Sequence, residues 1–378
     1  MRRTGLRHDL LISLIFLALP FIFFWSVTLG GKTLLPADNV FAWEPWASQA
    51  DAAGVGAPHN TLLSDLYLEN YAWKRLIVQS LRARQHPLWN PYILSGVPFL
   101  AAGQHSALYP LSLVFCILPL PTAYGWFAAL HLFLAEILTY VLARTLGLSR
   151  PAGALAGLAF GFCGFMVIGN VFPMIVAAAV WLPLILAAIE ATVQRAERGA
   201  RELLGYIPLT ALGAVAFGLS FLAGHPEMYY YVALTAGAYA LWRLVTLTLR
   251  RPPLAPLALA AGAAAAMAAV GLGLAAAQWL PLLELARVNF RSAGATLREV
   301  LSWAYPLRHA VALLVPDFYG NPSHHAYLDL FTGQRTPVTV NALGQPIREV
   351  FWGIKSYVEG AAYVGVLPLV LALIALLR

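Results

Sequence analysis

Met174 to Arg201 reads MIVAAAVWLPLILAAIEATVQRAERGAR. The first part, Met174–Thr192, is almost wholly apolar, and Arg195, Arg198 and Arg201 follow at once. A bilayer core takes about 20 apolar residues wound as a helix. Short loops on the cytoplasmic side collect arginine and lysine. The stretch therefore reads as a membrane span running into a cytoplasmic turn.

Runs of similar size recur at Leu10–Leu29, Thr122–Leu146, Pro151–Asn170, Leu203–Gly224, Met228–Leu249, Leu257–Leu282 and Ala361–Leu377. About eight spans are expected. The shorter stretch Leu108–Leu120 is interrupted by Pro110 and Pro119, which suits a re-entrant or interfacial segment. Composition agrees: 60% of the 378 residues are hydrophobic and only 11% are charged. Soluble domains carry about 25% charged residues, so this chain could not cover its surface in water. The net charge of +7 comes from arginines beside the apolar runs, not from one patch. That placement is a topology signal, and it argues against nucleic acid as a partner.

With Arg2, Arg3 and Arg7 inside, the turns Arg144–Arg150, Gln194–Glu202 and Leu249–Pro253 also fall inside, and all carry arginine. The short outer turns Asn170–Pro173 and Gly224–Glu227 carry neither Lys nor Arg. The N-terminus is thus expected in the cytoplasm, with Leu10–Leu29 an uncleaved first span. The chain reads as a single transmembrane domain, residues 1–378, with two large outer loops at 30–106 and 286–360. In the first, residues 64–84 have helical spacing of Leu66, Trp73, Leu76, Ile77 and Leu81, predicting an amphipathic helix with its apolar face on the membrane. The Ala- and Gly-rich run Leu257–Leu282 predicts close helix packing. Cys116 and Cys163 sit in apolar runs, read as packing, and lack metal-ligand spacing.

No soluble-enzyme signature is present, neither a P-loop nor GxGxxG, HExxH or GxSxG. The informative side chains belong to the outer face. Asp65 and Glu69 are four residues apart, so they share one helix face, where one carboxyl of the pair gains a raised pKa. That suits a general base or a metal site; the plainer reading is charge complementing a helix N-terminus. Asp38 follows the first span. The block HPLWNPYILSGVPFLAAGQHSALYP, His86–Pro110, sets Trp89, Asn90, Gln104 and His105 among prolines and rings. It suits a sugar face or a lipid headgroup, or simply an interfacial anchor. His225 and Glu227 lie in a short outer turn. Arg291, in the second outer loop, suits a bidentate grip on a phosphate, or is simply an exposed loop arginine. His324 and His325 are adjacent, which is weak evidence for a metal. His131 and Glu136 lie within a span, and Glu136 is expected to hydrogen-bond inside the bundle.

Several motifs, in order along the chain, resemble the bacterial YfhO-type family of large membrane proteins. They are the N-x-L-L-x-D stretch ending at Asp65, PLWNP…G-P…Q…YP from Pro87 to Pro110, the Arg144–Arg150 turn, GFCGFM, AAAVWLPLILAAIE, AGHPEMYYY, QWLPLLELA with Arg291 after it, and YVGVLPLVLALIAL. The resemblance implies an all-α integral membrane bundle related to GT-C glycosyltransferases. Such enzymes transfer a sugar from a polyprenyl-phosphate donor to a cell-envelope glycan or lipid acceptor on the extracytoplasmic face. It further implies an essential Asp in the first outer loop, here Asp65 or Asp38, with Asp65 favoured. Glu69, Trp89, Asn90, Gln104, His105, His225, Glu227 and Arg291 are the candidate substrate contacts. No cofactor is implied with certainty, and a divalent cation is the open option, its ligands unknown. A bacterial plasma membrane is the expected location. Family members are longer, so a missing C-terminal half is expected. Two other classes stay open: a transporter or flippase of a lipid-linked sugar, and a non-catalytic scaffold in envelope assembly.

Overall fold

The computed structural model describes residues 2–55, 63–251, 253–288, 294, 296–302, 304–305, 307–321, 326–328, 332–337 and 357–377. Six helices there are long and apolar enough to cross a membrane: Leu6–Phe23, Leu120–Thr145, Pro173–Glu197, Leu203–Leu222, Pro226–Leu249 and Leu254–Leu274. A seventh crossing is formed if Arg150–Gly161 and Gly164–Val171, bent by 45°, act as one. The chain is an all-α, multi-pass membrane protein. The expectation of eight spans meets a shorter last element, because Val366–Leu376 is only 11 residues.

Prolines set many of the helix starts. Pro121, Pro151, Pro173, Pro208 and Pro226 sit in first turns, where a missing N–H costs nothing and the fixed φ favours the helix. The Pro173–Glu197 segment is the most enclosed, with Val176, Ala177, Ala178, Val180 and Ile185 fully buried. Beside it, the spans ending at Leu222 and Leu274 lie together. A Cβ added at Gly271 would stand 2.5 Å from Cβ of Phe217, so only glycine allows that approach. This bears out the close packing expected of the Ala/Gly-rich run.

Ion pairs tie the helices at the end that carries the arginine-rich turns. Arg150 grips Asp9 through Nε at 2.7 Å and Nη2 at 3.0 Å, and Tyr140 donates to the same carboxylate at 2.6 Å. Arg243 grips Glu190 at 2.6 and 2.9 Å, and Tyr239 and Gln194 complete its shell. Glu136 departs from expectation. It is fully buried, and neither carboxyl oxygen has a hydrogen-bond partner among the described residues.

Between the first span and Leu120, the chain forms a cap at the opposite end. Leu66–Tyr71 is wound as a wide π-helical turn, which continues as the α-helix Ala72–Arg82. The amphipathic helix exists, but its apolar face does not lie on lipid. Leu76 and Ile77 pack on Phe99 with Trp73 and Ala107, while Leu66 and Val78 join the main core. The segment Pro110–Ile117 forms two short helical pieces, neither long enough to cross.

Candidate functional site

The π-helical turn, the Gly103–His105 loop and the Gly224–Pro226 turn meet around a cavity of about 220 Å³. Its wall carries Asp65, Glu69, Asn70 and Trp73 from the capping helix, Gln104 from the loop, and His225. Val171, Phe172, Met174 and Ile175, around the start of the Pro173–Glu197 segment, supply its apolar wall. The cavity lies at the end of the bundle remote from the Arg150 and Arg243 clamps.

Local geometry explains why Gln104 and His225 become neighbours, although 121 positions separate them. Gly224 has φ +90°, and a Cβ there would stand 2.8 Å from the backbone N of Ser106. Ser106 donates its hydroxyl to the Ala223 carbonyl at 2.6 Å. The two turns are thus held together by close backbone approach and this side-chain hydrogen bond, and each presents its polar residue to the same space.

His225 caps the helix that follows it. Its Nδ1 accepts from the Met228 N–H at 3.0 Å. That backbone group can only donate, so Nδ1 is unprotonated and the neutral ring carries its proton on Nε2. Burial holds His225 below the ordinary imidazole value, against the opposing pull of the Glu227 carboxylate. Burial, and then the charge of Asp65, raises the Glu69 pKa. The raised carboxyl expected of the pair is therefore found on Glu69.

The other candidates stand elsewhere. Asp38 is half-buried on the turn Ala37–Ala42 and does not line the cavity. Trp89 is exposed and belongs to a short hairpin with Val97–Pro98. Asn90 is buried and accepts from Tyr92 N–H at 3.0 Å, a turn-stabilising role. His105 is buried beneath the loop and stacks on Phe99, with Nε2 on the Leu100 carbonyl and Nδ1 accepting from Ala107. Glu227 is exposed, takes the Tyr231 hydroxyl at 2.9 Å and does not line the cavity. Trp89, Asn90, His105 and Glu227, expected as substrate contacts, therefore do not line this cavity. Arg291, His324 and His325 lie outside the described residues. Among the described residues, no three His, Cys, Asp or Glu side chains come together as a metal site.

Searches of protein-family models, of curated proteins and of solved structures find no match to this chain. The chemistry of the cavity is therefore read from its own residues.

Two residues of this region were not anticipated, Asn70 on the cavity wall and Lys74 behind it. Leu66, Asn70, Lys74 and Ile77 lie on one helical stripe, so Asn70 and Lys74 interrupt an apolar face. A polar side chain on a buried stripe is a signal that spacing alone could have supplied. Lys74 is 1% exposed, donates to the His105 carbonyl at 2.8 Å, and stands over the Phe115 ring at 4.9 Å. It holds the cavity's loop from behind.

Burial depresses the Lys74 amine from 10.5 to about 7. His105, His131 and Cys116 are the ionisable groups within its electrostatic reach. Above pH 7 the unfolded chain holds a proton on this amine that the folded chain has released. Unfolding free energy therefore rises with pH between 7 and 10.5, and at or below pH 7 the full cost of a buried cation is present. Lys74→Met should remove that dependence. Going from pH 7 to pH 9, wild type should gain roughly 2–3 kcal/mol relative to Lys74→Met, at 1.36 kcal/mol per pH unit. Detergent-phase melting of both proteins at the two pH values measures it, and a difference independent of pH would refute the buried-cation account.

A second cavity, of about 290 Å³, shares Leu66 and Val171 with the first. Phe24, Leu34, Val167 and Ile168 make it largely apolar, and Asn321 and Tyr357 edge it. Tyr357 donates to Asp317 at 2.6 Å, and Asn321 donates to Asp317 at 3.1 Å. A third cavity, of about 370 Å³, lies between Leu203–Ala214 and Ala258–Val270, and among the described residues no acid or amide lines it.

Proposed function

We propose that this chain is a membrane glycosyltransferase of the GT-C type. It takes a sugar from a polyprenyl-phosphate donor and passes it to a cell-envelope acceptor on the extracytoplasmic face of a bacterial plasma membrane. The observation that carries the reading is the meeting of Asp65, Glu69, Gln104 and His225 around one cavity at the end away from the arginine-rich turns. The sequence resemblance to the YfhO-type family supports the same reading.

In this mechanism the Asp65 carboxylate takes the proton of the acceptor hydroxyl as its oxygen attacks the anomeric carbon. The bond from that carbon to the phosphate oxygen breaks, and its electron pair leaves with the polyprenyl phosphate. Attack opposite the leaving group inverts the anomeric centre. The His225 Nε2–H donates towards the charge growing on the departing phosphate, and Arg291 is assigned the same task. Glu69, on the same wall as Asp65, accepts a hydrogen bond from a ligand hydroxyl. The adjoining apolar cavity takes the first units of the isoprenoid.

A second reading, transport of a lipid-linked sugar, draws on two observations. Glu136 is buried without a partner among the described residues, and the Arg150–Val171 pair is broken by 45°. Buried ionisable groups and broken spans mark transport paths. The deciding experiment uses the full chain in proteoliposomes with a panel of polyprenyl-phosphate sugars. Release of polyprenyl phosphate supports the transferase. Movement of the intact lipid across the bilayer without release would replace it with the transporter.

The orientation has its own test. In a variant with Cys116 and Cys163 replaced by alanine, Ala53→Cys should react in spheroplasts with a maleimide that cannot cross the membrane. Arg198→Cys should react only after lysis. The opposite pattern would move the cavity to the cytoplasmic side and end the extracytoplasmic reading.

A further inference from the structure

Asn70 follows Glu69 on the cavity wall and is 2% exposed. Tyr124, from the Leu120–Thr145 helix, donates its hydroxyl to Asn70 Oδ1 at 2.9 Å. Tyr124 is itself buried, with its ring edge-on to Phe115 at 4.9 Å. The phenol therefore occupies the amide oxygen and leaves Nδ2 with two hydrogens. Nδ2 has no hydrogen-bond partner among the described residues. A buried donor left this way costs about 1–3 kcal/mol. A buried donor kept this way calls for an explanation, and a bound molecule that supplies the acceptor is one.

The rest of the wall states what that molecule is. Asp65 and Glu69 accept hydrogen bonds, the His225 Nε2–H donates, and Gln104 does both. Carboxylates interleaved with neutral donors suit hydroxyl groups, since each hydroxyl gives one hydrogen bond and takes another. Among the described residues neither Lys nor Arg lines the cavity, and Lys74 directs its amine to the His105 carbonyl instead. Phosphate sites use those cations, so the described part of this wall offers a phosphate no counter-charge. At about 220 Å³ the space is below the roughly 300–1,000 Å³ of sites for drug-sized ligands, which leaves room for a single ring. Trp73 adds an aromatic side chain to the wall.

We infer that this cavity binds one neutral monosaccharide ring, that Asn70 Nδ2 donates to a ring oxygen, and that the phosphate of a lipid-linked sugar stays outside. The inference deepens the glycosyltransferase reading and rests on it for the identity of the lipid. Asn70 is a specificity-determining residue in this account, and Tyr124 is a positioning residue acting through it.

Saturation-transfer NMR on the full chain in detergent micelles tests it, with free glucose, galactose, mannose and N-acetylglucosamine as probes and inorganic phosphate as competitor. Transfer to the ring protons of at least one sugar is expected, undiminished by phosphate. Asn70→Asp keeps the shape, removes the donor and should weaken binding about ten-fold or more. Tyr124→Phe keeps the packing, frees the amide and should weaken the same sugar to a lesser degree. It also serves if Asn70→Asp does not give a monodisperse protein. Absence of transfer to every sugar, displacement by phosphate, or binding unchanged in the variants would overturn the inference. The two readings fail separately. Sugar binding that depends on Asn70, without any transfer reaction, would keep this inference and remove the enzyme. Transfer that depends on Asp65, with sugar binding indifferent to Asn70, would do the reverse.

Discussion

Asp65→Asn is expected to lower sugar transfer by about 10²–10⁴-fold, the usual contribution of a general base. The substitution keeps the size and hydrogen-bonding capacity of the side chain and removes its basicity. Asp65 is exposed at the cavity and lies outside the buried core, so folding and membrane insertion should survive. Asp38→Asn should be milder, because Asp38 does not line the cavity. Its turn lies against the helix that bears Glu69, so it acts at most on the position of that helix. A further consequence concerns Glu69. The charge of Asp65 is one of the two causes raising its pKa, so Asp65→Asn should lower that pKa. Release of polyprenyl phosphate, measured against pH for wild type and both variants, reads these effects together. Full activity in Asp65→Asn with loss in Asp38→Asn would exchange the two roles. Full activity in both would remove the base, and with it the enzyme reading.

Arg243→Ala is expected to cost about 3–5 kcal/mol of stability, the range for breaking one side of a buried ion pair. Neutral hydrogen bonds between spans contribute only about 0.6 kcal/mol on average. The larger figure rests on what is left behind. The Glu190 side chain is only 5% exposed, and Arg243 supplies both of its charged contacts, at 2.6 and 2.9 Å. Tyr239 and Gln194 would remain, but neither carries a charge. Arg243 also contacts Glu197 at 3.3 Å, and Glu197 is held in turn by Arg250 at 3.1 Å. The alanine therefore leaves Glu190 without a counter-ion among the described residues. Glu190→Gln in the Arg243→Ala background should recover much of the loss, since it removes the stranded charge. Denaturant unfolding in detergent measures all three variants. A loss below about 1 kcal/mol would place this pair with ordinary surface salt bridges. The clamp lies at the far end from the cavity, so any folded Arg243→Ala protein should keep its sugar binding.

The spans were legible because lipid imposes a rule on local sequence. Backbone polar groups must be satisfied within the segment, and the side chains must be apolar over about 20 residues. Met174–Thr192 accordingly falls inside the observed Pro173–Glu197. Pro151–Asn170 was read as one span and is instead bent near Phe162 and Cys163, because composition reports apolarity and not direction. The face shared by Asp65 and Glu69 was readable for a similar reason, since spacing along a helix is enough to place both. The helix cap at His225 was not, because it depends on where the chain turns before Pro226.

By itself the sequence determined the membrane class, the bounds of most spans and the pairing of the two acids, all properties of contiguous residues. Tertiary structure alone decided which polar side chains reach the cavity. Gln104 and His105 are adjacent, yet Gln104 lines the cavity and His105 is buried under the loop. His225 and Glu227 are two apart, yet only His225 faces the acids. Both choices follow from backbone in the left-handed region, at Gly103 with φ 81°, Ser106 with φ 57° and Gly224 with φ 90°. There the chain keeps neither the helical nor the extended period, so position along the sequence no longer tells which way a side chain points. Asn70 and Lys74 turned inward for another reason. The elements that cover their stripe, Tyr124 and the His105 carbonyl, come from remote parts of the chain.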